Sequence, residues 1–116
     1  MQRAGAGAAG ASPIMERLTH SGRLWRWTGG TNGTWHFVTI DGAVGEALSG
    51  TALMRRLEQT IGGFGSLKVR ARIGDSTFAT SVFPSKNAGW LLPIKASVRR
   101  AEDLAEGDTV TVNLEF

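Results

Sequence analysis

Ser81, Lys86, Trp90, Lys95 and Arg99 are the residues whose types and spacing best suggest chemistry. Two ammonium groups, a guanidinium and a hydroxyl in one segment suit the capture of a carboxylate or phosphate, because charge-assisted hydrogen bonds are the strongest a protein offers such groups. Trp90 would supply an apolar wall. The same residue types also describe a solvated rim, since basic side chains are common on any surface. Lys68, Arg70 and Arg72 form a second set, alternating along SLKVRARI, where they could face nucleic-acid phosphates. That alternation is equally the pattern of a strand's solvent face. Lys95 has a third reading. Set beside Leu91, Leu92 and Ile94, it could act as the base of a small hydrolase or lyase if burial favoured its neutral amine.

Other chemistry finds little support. His20 and His36 are the two histidines, and no carboxylate stands at ligand spacing from either, so no metal site is read. G-x-S-x-G is absent, which leaves the serines without a nucleophile elbow. The chain has no cysteine, which excludes disulfides, thiolate catalysis and zinc ribbons, and suits a reducing compartment. Glu102, Asp103, Glu106 and Asp108 run across a helix end and a turn at Gly107, where carboxylates are ordinary. Gly5, Gly7 and Gly10 match the spacing of a dinucleotide-binding loop, but no strand can precede Gly5. Asn32, Gly33 and Thr34 spell a glycosylation sequon and read better as a turn. No cofactor is expected, and no catalytic residues are assigned.

The elements that must position these residues are mostly strands. His20 to Trp27 is bulky and ends at the turn signal TGGTNG. Thr34 to Ile40 sets Trp35, Phe37 and Thr39 against His36, Val38 and Ile40, so both faces are expected to be covered, and the two segments should pair as a hairpin. Asp41 can cap a helix with Val44, Ala47, Leu48, Met54 and Leu57 on its apolar face. Gly45 and Gly50 weaken it by up to about 1 kcal/mol each, so only part of the stretch is expected to be helical. Leu67, Val69, Ala71 and Ile73 then alternate with the basic stripe, and Gly74 and Asp75 turn the chain into Ser76 to Phe83, which Pro84 ends. Trp90 to Ala96, a short helical SVRRAEDL and Thr109 to Phe116 complete the chain, the last with Val110, Val112, Leu114 and Phe116 on one face. Trp25, Trp27 and Trp35 are expected in the core because they lie in strands. Trp90, beside Gly89 in a loop, is the tryptophan expected to be available.

Six strands, one main helix and a short helical turn in 116 residues amount to one domain. Open strand edges invite aggregation and closure hides them, so the fold class is mainly β, a closed or nearly closed barrel. The domain is expected over residues 15–116, after a disordered Ala/Gly-rich tail over 1–14; translation from Met15 would yield the same domain. The composition, 41% hydrophobic and 20% charged, is that of an ordinary globular protein, and a net charge of +3 does not favour nucleic acid. No apolar run approaches the ~20 residues of a membrane helix. The expectation is a soluble cytoplasmic protein, monomer or homodimer.

The blocks LWRW, WHFV, GFGSLKV, TSVFPSK, LLPIKASVRRAEDL and GDTVTV, in that order over residues 18 to 116, resemble the bacterial domain of unknown function nineteen-oh-five. The resemblance implies a small split β-barrel, related in shape to AbrB-like and antitoxin-type DNA-binding barrels. It also implies a domain sometimes fused to a helical bacteriocin-protection or OmpD-associated domain, which this sequence lacks. A fold carries no reaction with it. The leading expectation is therefore a non-enzymatic module binding a small anionic ligand or a partner's acidic group, with a nucleic-acid-binding dimer and a lysine-based hydrolase or lyase as alternatives.

Overall fold

Period-two alternation governs most of the chain, and it produces six strands: β1 (Arg17–Thr28), β2 (Thr34–Ile40), β3 (Leu67–Ile73), β4 (Ser76–Pro84), β5 (Trp90–Pro93) and β6 (Thr109–Glu115). Two helices interrupt them, α1 (Gly42–Leu57) and α2 (Ala96–Ala101). The structure is a computed structural model and describes residues 16–29, 33–58, 65–86 and 89–116. The expected tail over 1–14 and Met15 lie outside the described residues.

The strands close into a barrel in the order β1-β2-β5-β4-β3-β6, every neighbouring pair antiparallel. The mainly β barrel, its main helix and its short second helix are the architecture expected from the sequence. β1 serves two partners, pairing with β6 from Arg17–Glu115 to Arg23–Thr109 and with β2 from Leu24–Val38 to Thr28–Thr34. β4 divides its length unequally. It pairs with β3 from Leu67–Val82 to Ile73–Ser76, but with β5 only at Phe83–Leu91 and Pro84–Trp90. Below those two pairs the strands part.

Inward parity fills the barrel. β3 alternates buried and exposed along its whole length, and Leu24, Val38, Ile40, Leu67, Leu92, Val112 and Leu114 are fully buried. Gly74 and Asp75 form the two-residue turn between β3 and β4, with Gly74 at φ 56°. α1 seals one end of the core through Leu48 and Ala52, and it is helical throughout rather than in part. Its buried row is Gly45, Leu48 and Ala52. Met54 and Leu57, expected on that row, are 57% and 70% exposed. The cause is the point of closest approach: a Cβ on Gly45 would lie 2.8 Å from the Ile40 carbonyl oxygen, so the helix presses its glycine side against the end of β2.

The tryptophans reverse their expected roles. With Leu24, Val38 and Ile40 facing inward, pleating turns Trp25, Trp27, Trp35 and Phe37 outward. Trp27 and Trp35 are nearly half exposed and Trp25 is half-buried. Trp90 lies in strand β5, 5% exposed, and its indole N–H donates to Ser49 Oγ on α1 at 3.0 Å. β5 is also shorter than expected. Beyond Pro93 the Ile94 N–H still donates to the His36 carbonyl at 2.9 Å, and Lys95 then becomes the residue before α2.

Candidate functional site

The parting of β4 from β5 opens a cleft of about 490 Å³, with Thr34 to His36 of β2 on one wall, Phe78 to Thr80 of β4 on the other and Pro93 to Ala96 together with Arg99 across it. That volume is in the range of small-molecule sites. The segment following β5 positions two cations. Lys95 has an extended backbone (φ −72°, ψ 161°), and Arg99 follows one helical turn later. Arg99 is half-buried, and its Nε donates to the Ile94 carbonyl at 3.2 Å, which fixes the side chain over the cleft wall. Lys95 is exposed, its Nζ 6.0 Å from the centre of the Phe78 ring, at the outer limit of cation–π attraction.

His36 completes the cluster. Its inward parity on β2 leaves it half-buried, with Nδ1 closed off and without a hydrogen-bond partner. Buried polar atoms are nearly always satisfied, so this one is exceptional. Burial, then the positive charges of Arg99 and Arg26, hold its pKa below the ordinary 6.5, with Glu106 opposing them weakly. Glu106 lies 3.6 Å from Arg26 Nε. Among the described residues no carboxylate lines the cleft. The nearby Glu102 is engaged elsewhere, accepting from Ser76 Oγ at 2.6 Å and so tying the end of α2 to the β3–β4 turn.

Of the five residues singled out in the sequence, Lys95 and Arg99 meet in this cleft; Ser81, Lys86 and Trp90 do not. Ser81 lies on the outer face of β4 across from Lys68, Lys86 is exposed beyond the end of β4, and Trp90 is in the core. The lysine-base reading loses the burial it relied on, because Lys95 is exposed. Lys68, Arg70 and Arg72 form the expected exposed stripe on β3. An acid stands among them, however: Glu115 faces Arg70 across the ladder and pairs with Arg17 at 3.1 Å, while Arg72 Nε donates to the Gly74 carbonyl.

Sequence reasoning passed over His36 and Trp35. The available signal was a titratable residue sharing the parity of Val38 and Ile40, a parity that strand pairing turns inward. Trp35 lines the cleft and also borders a shallow apolar groove of about 320 Å³ on the outer face, shared with Trp25, Trp27, Phe37, Phe83 and Leu91. Within it Trp35 and Phe37 stack at 6.0 Å with an interplanar angle of 8°, and the Trp25 N–H donates to Thr39 Oγ1 at 2.9 Å. A larger groove of about 620 Å³ beside α1 mixes Glu16 and Glu58 with Arg55, so it offers no charge of one sign.

Among the described residues no His, Asp and Glu gather as a metal site, and no helix is long and apolar enough to cross a membrane. None of the curated proteins matches the chain. One family does. The profile of DUF1905, a domain of unknown function, matches residues 21–114, which take in β2 to β5, most of β1 and β6 and the described residues of the cleft, and the chain therefore belongs to the DUF1905 family.

Proposed function

We propose that this protein is a soluble, cytoplasmic binding module, not an enzyme, and that it takes a small anionic ligand or a partner's acidic group in the cleft between β4 and β5. One observation carries the reading: Lys95, Arg99 and His36, whose Nδ1 has no hydrogen-bond partner, share a cleft with no carboxylate among its described lining residues. An anion entering it meets an ammonium and a guanidinium already oriented by the Ile94 carbonyl. Turning the imidazole toward the cleft gives Nδ1 the partner it lacks. The β3 stripe supports a nucleic-acid reading less well, because Glu115 offsets the charge on that face.

Calorimetric titration at low salt with inorganic phosphate, sulfate and small di- and tricarboxylates tests the proposal. Binding should appear for part of this panel. Lys95→Ala should weaken it by about tenfold or more, as expected when a charge-assisted hydrogen bond is removed. Silence across the panel, or binding indifferent to Lys95→Ala, overturns the reading.

A further inference from the structure

We infer that the ligand of this cleft carries a flat aromatic ring beside its anionic group, and that the ring rests on Trp35. The inference deepens the anion-binding reading and depends on it. Trp35 is 45% exposed and belongs to both cavities: it walls the cationic cleft on one side and the apolar groove on the other. A molecule whose anion is held by Lys95 and Arg99 therefore extends its remaining part over this indole. Cross-strand register places Trp27 directly beside Trp35, and Phe37 stacks against it, so the ring is held in one orientation before any ligand arrives.

Charge and polarity divide the surface in the same way. The cleft supplies cations, the groove supplies aromatic faces, and no carboxylate is among the described residues that line either. The apolar groove draws its lining from four strands, β1, β2, β4 and β5. An aliphatic anion would bury area on it, but a flat ring gains stacking on the indole as well. Aryl carboxylates and nucleoside monophosphates share this chemistry, a planar ring joined to an anion.

The test compares inorganic phosphate, phenyl phosphate, phenylacetate and adenosine monophosphate by calorimetry on the wild type, Lys95→Ala, Trp35→Ala and Trp35→Leu. Phenyl phosphate should bind about tenfold more tightly than inorganic phosphate, the order of effect that one ring stacked on an aromatic side chain produces. Trp35→Ala and Trp35→Leu should each bring phenyl phosphate down to the affinity that inorganic phosphate shows in the same variant, whereas Lys95→Ala should weaken both ligands. Trp35→Leu retains an apolar side chain on the strand, so it serves if the alanine variant does not fold. Ranking adenosine monophosphate against phenylacetate identifies which source the site prefers. Inorganic phosphate binding as tightly as phenyl phosphate, or an advantage that survives both Trp35 variants, overturns the inference and leaves the anion site standing. No binding by any of the four compounds overturns both.

Discussion

Protonation of His36 should be linked to anion binding in the proposed site, because the imidazole shares the cleft with Lys95 and Arg99. Burial and the neighbouring guanidinium groups hold the His36 pKa below 6.5 in the folded protein, whereas in the unfolded chain it titrates near that ordinary value. Between the two values the unfolded chain binds more protons than the folded one. Stability from this group is therefore complete above 6.5 and is lost as pH falls through the folded pKa. His36→Gln should flatten that portion of a urea-denaturation profile; an unchanged slope would rule out this account of the residue. A bound anion acts in the opposite direction, favouring the imidazolium. Affinity for sulfate, whose own charge is constant over this range, should thus rise as pH drops below neutral in the wild type and remain flat in His36→Gln, as calorimetry at several pH values can show.

The tryptophans provide a second contrast between residues of one type. Trp90 is 5% exposed with its N–H satisfied by Ser49, so Trp90→Ala should cost about 3–5 kcal/mol through lost burial and the cavity left behind. Trp27 is 44% exposed, and Trp27→Ala should alter stability by only about 0.5 kcal/mol. Urea denaturation of the two variants measures the difference, and similar losses would contradict the assigned inward and outward parities.

Among the elements, α1 holds three glycines, of which Gly45 and Gly50 sit in very different surroundings. Gly45 sits where a Cβ would meet the Ile40 carbonyl oxygen at 2.8 Å, a backbone atom that cannot rotate away. Gly50 has nothing within 4 Å of the same hypothetical atom. Gly50→Ala should accordingly stabilise the protein by about 0.5–1 kcal/mol, through better helix propensity and a less flexible unfolded chain. Gly45→Ala gains the same propensity, yet should destabilise by about 1–3 kcal/mol because the helix must shift off β2. Thermal melts of the pair decide the matter. If both variants gain stability, the close approach of α1 is not a constraint.

For the whole molecule, barrel closure is uneven. β1 and β6 share a long ladder, as do β3 and β4, whereas β4 meets β5 only at Phe83–Leu91 and Pro84–Trp90, and Pro84 has no N–H to give. Local opening should begin at this seam, next to the cleft. Hydrogen exchange should find the amides of Phe83 and Leu91 less protected than those of Val69 and Val112. Anion binding should slow exchange from Ile94 to Arg99. Uniform protection around the barrel would show that the seam is as strong as the other ladders.

Much of this fold was legible in the sequence because strand parity is a local property. Leu67 to Ile73 and Val110 to Phe116 alternate so cleanly that one face had to be buried, and Gly74–Asp75 had to turn. The helix after Asp41 was visible only in part, since its glycines argued against its full length and its outer residues were placed on the wrong face, whereas the order of blocks that carries the family resemblance was plain. Thr34 to Ile40 was different, since both of its faces are apolar and nothing local says which one turns inward. Pairing with β1 and β5 made that choice, and with it set Trp35 outside, His36 inside and Trp90 in the core. The candidate site depended on the same choice. Lys95 and Arg99 were recognisable as cations in one segment, but His36 joins them only because antiparallel pairing carries β5 along β2 and the chain then crosses to α2. Hydrogen-bond registry between distant strands, rather than any pattern within a strand, decided which side chains share the cleft.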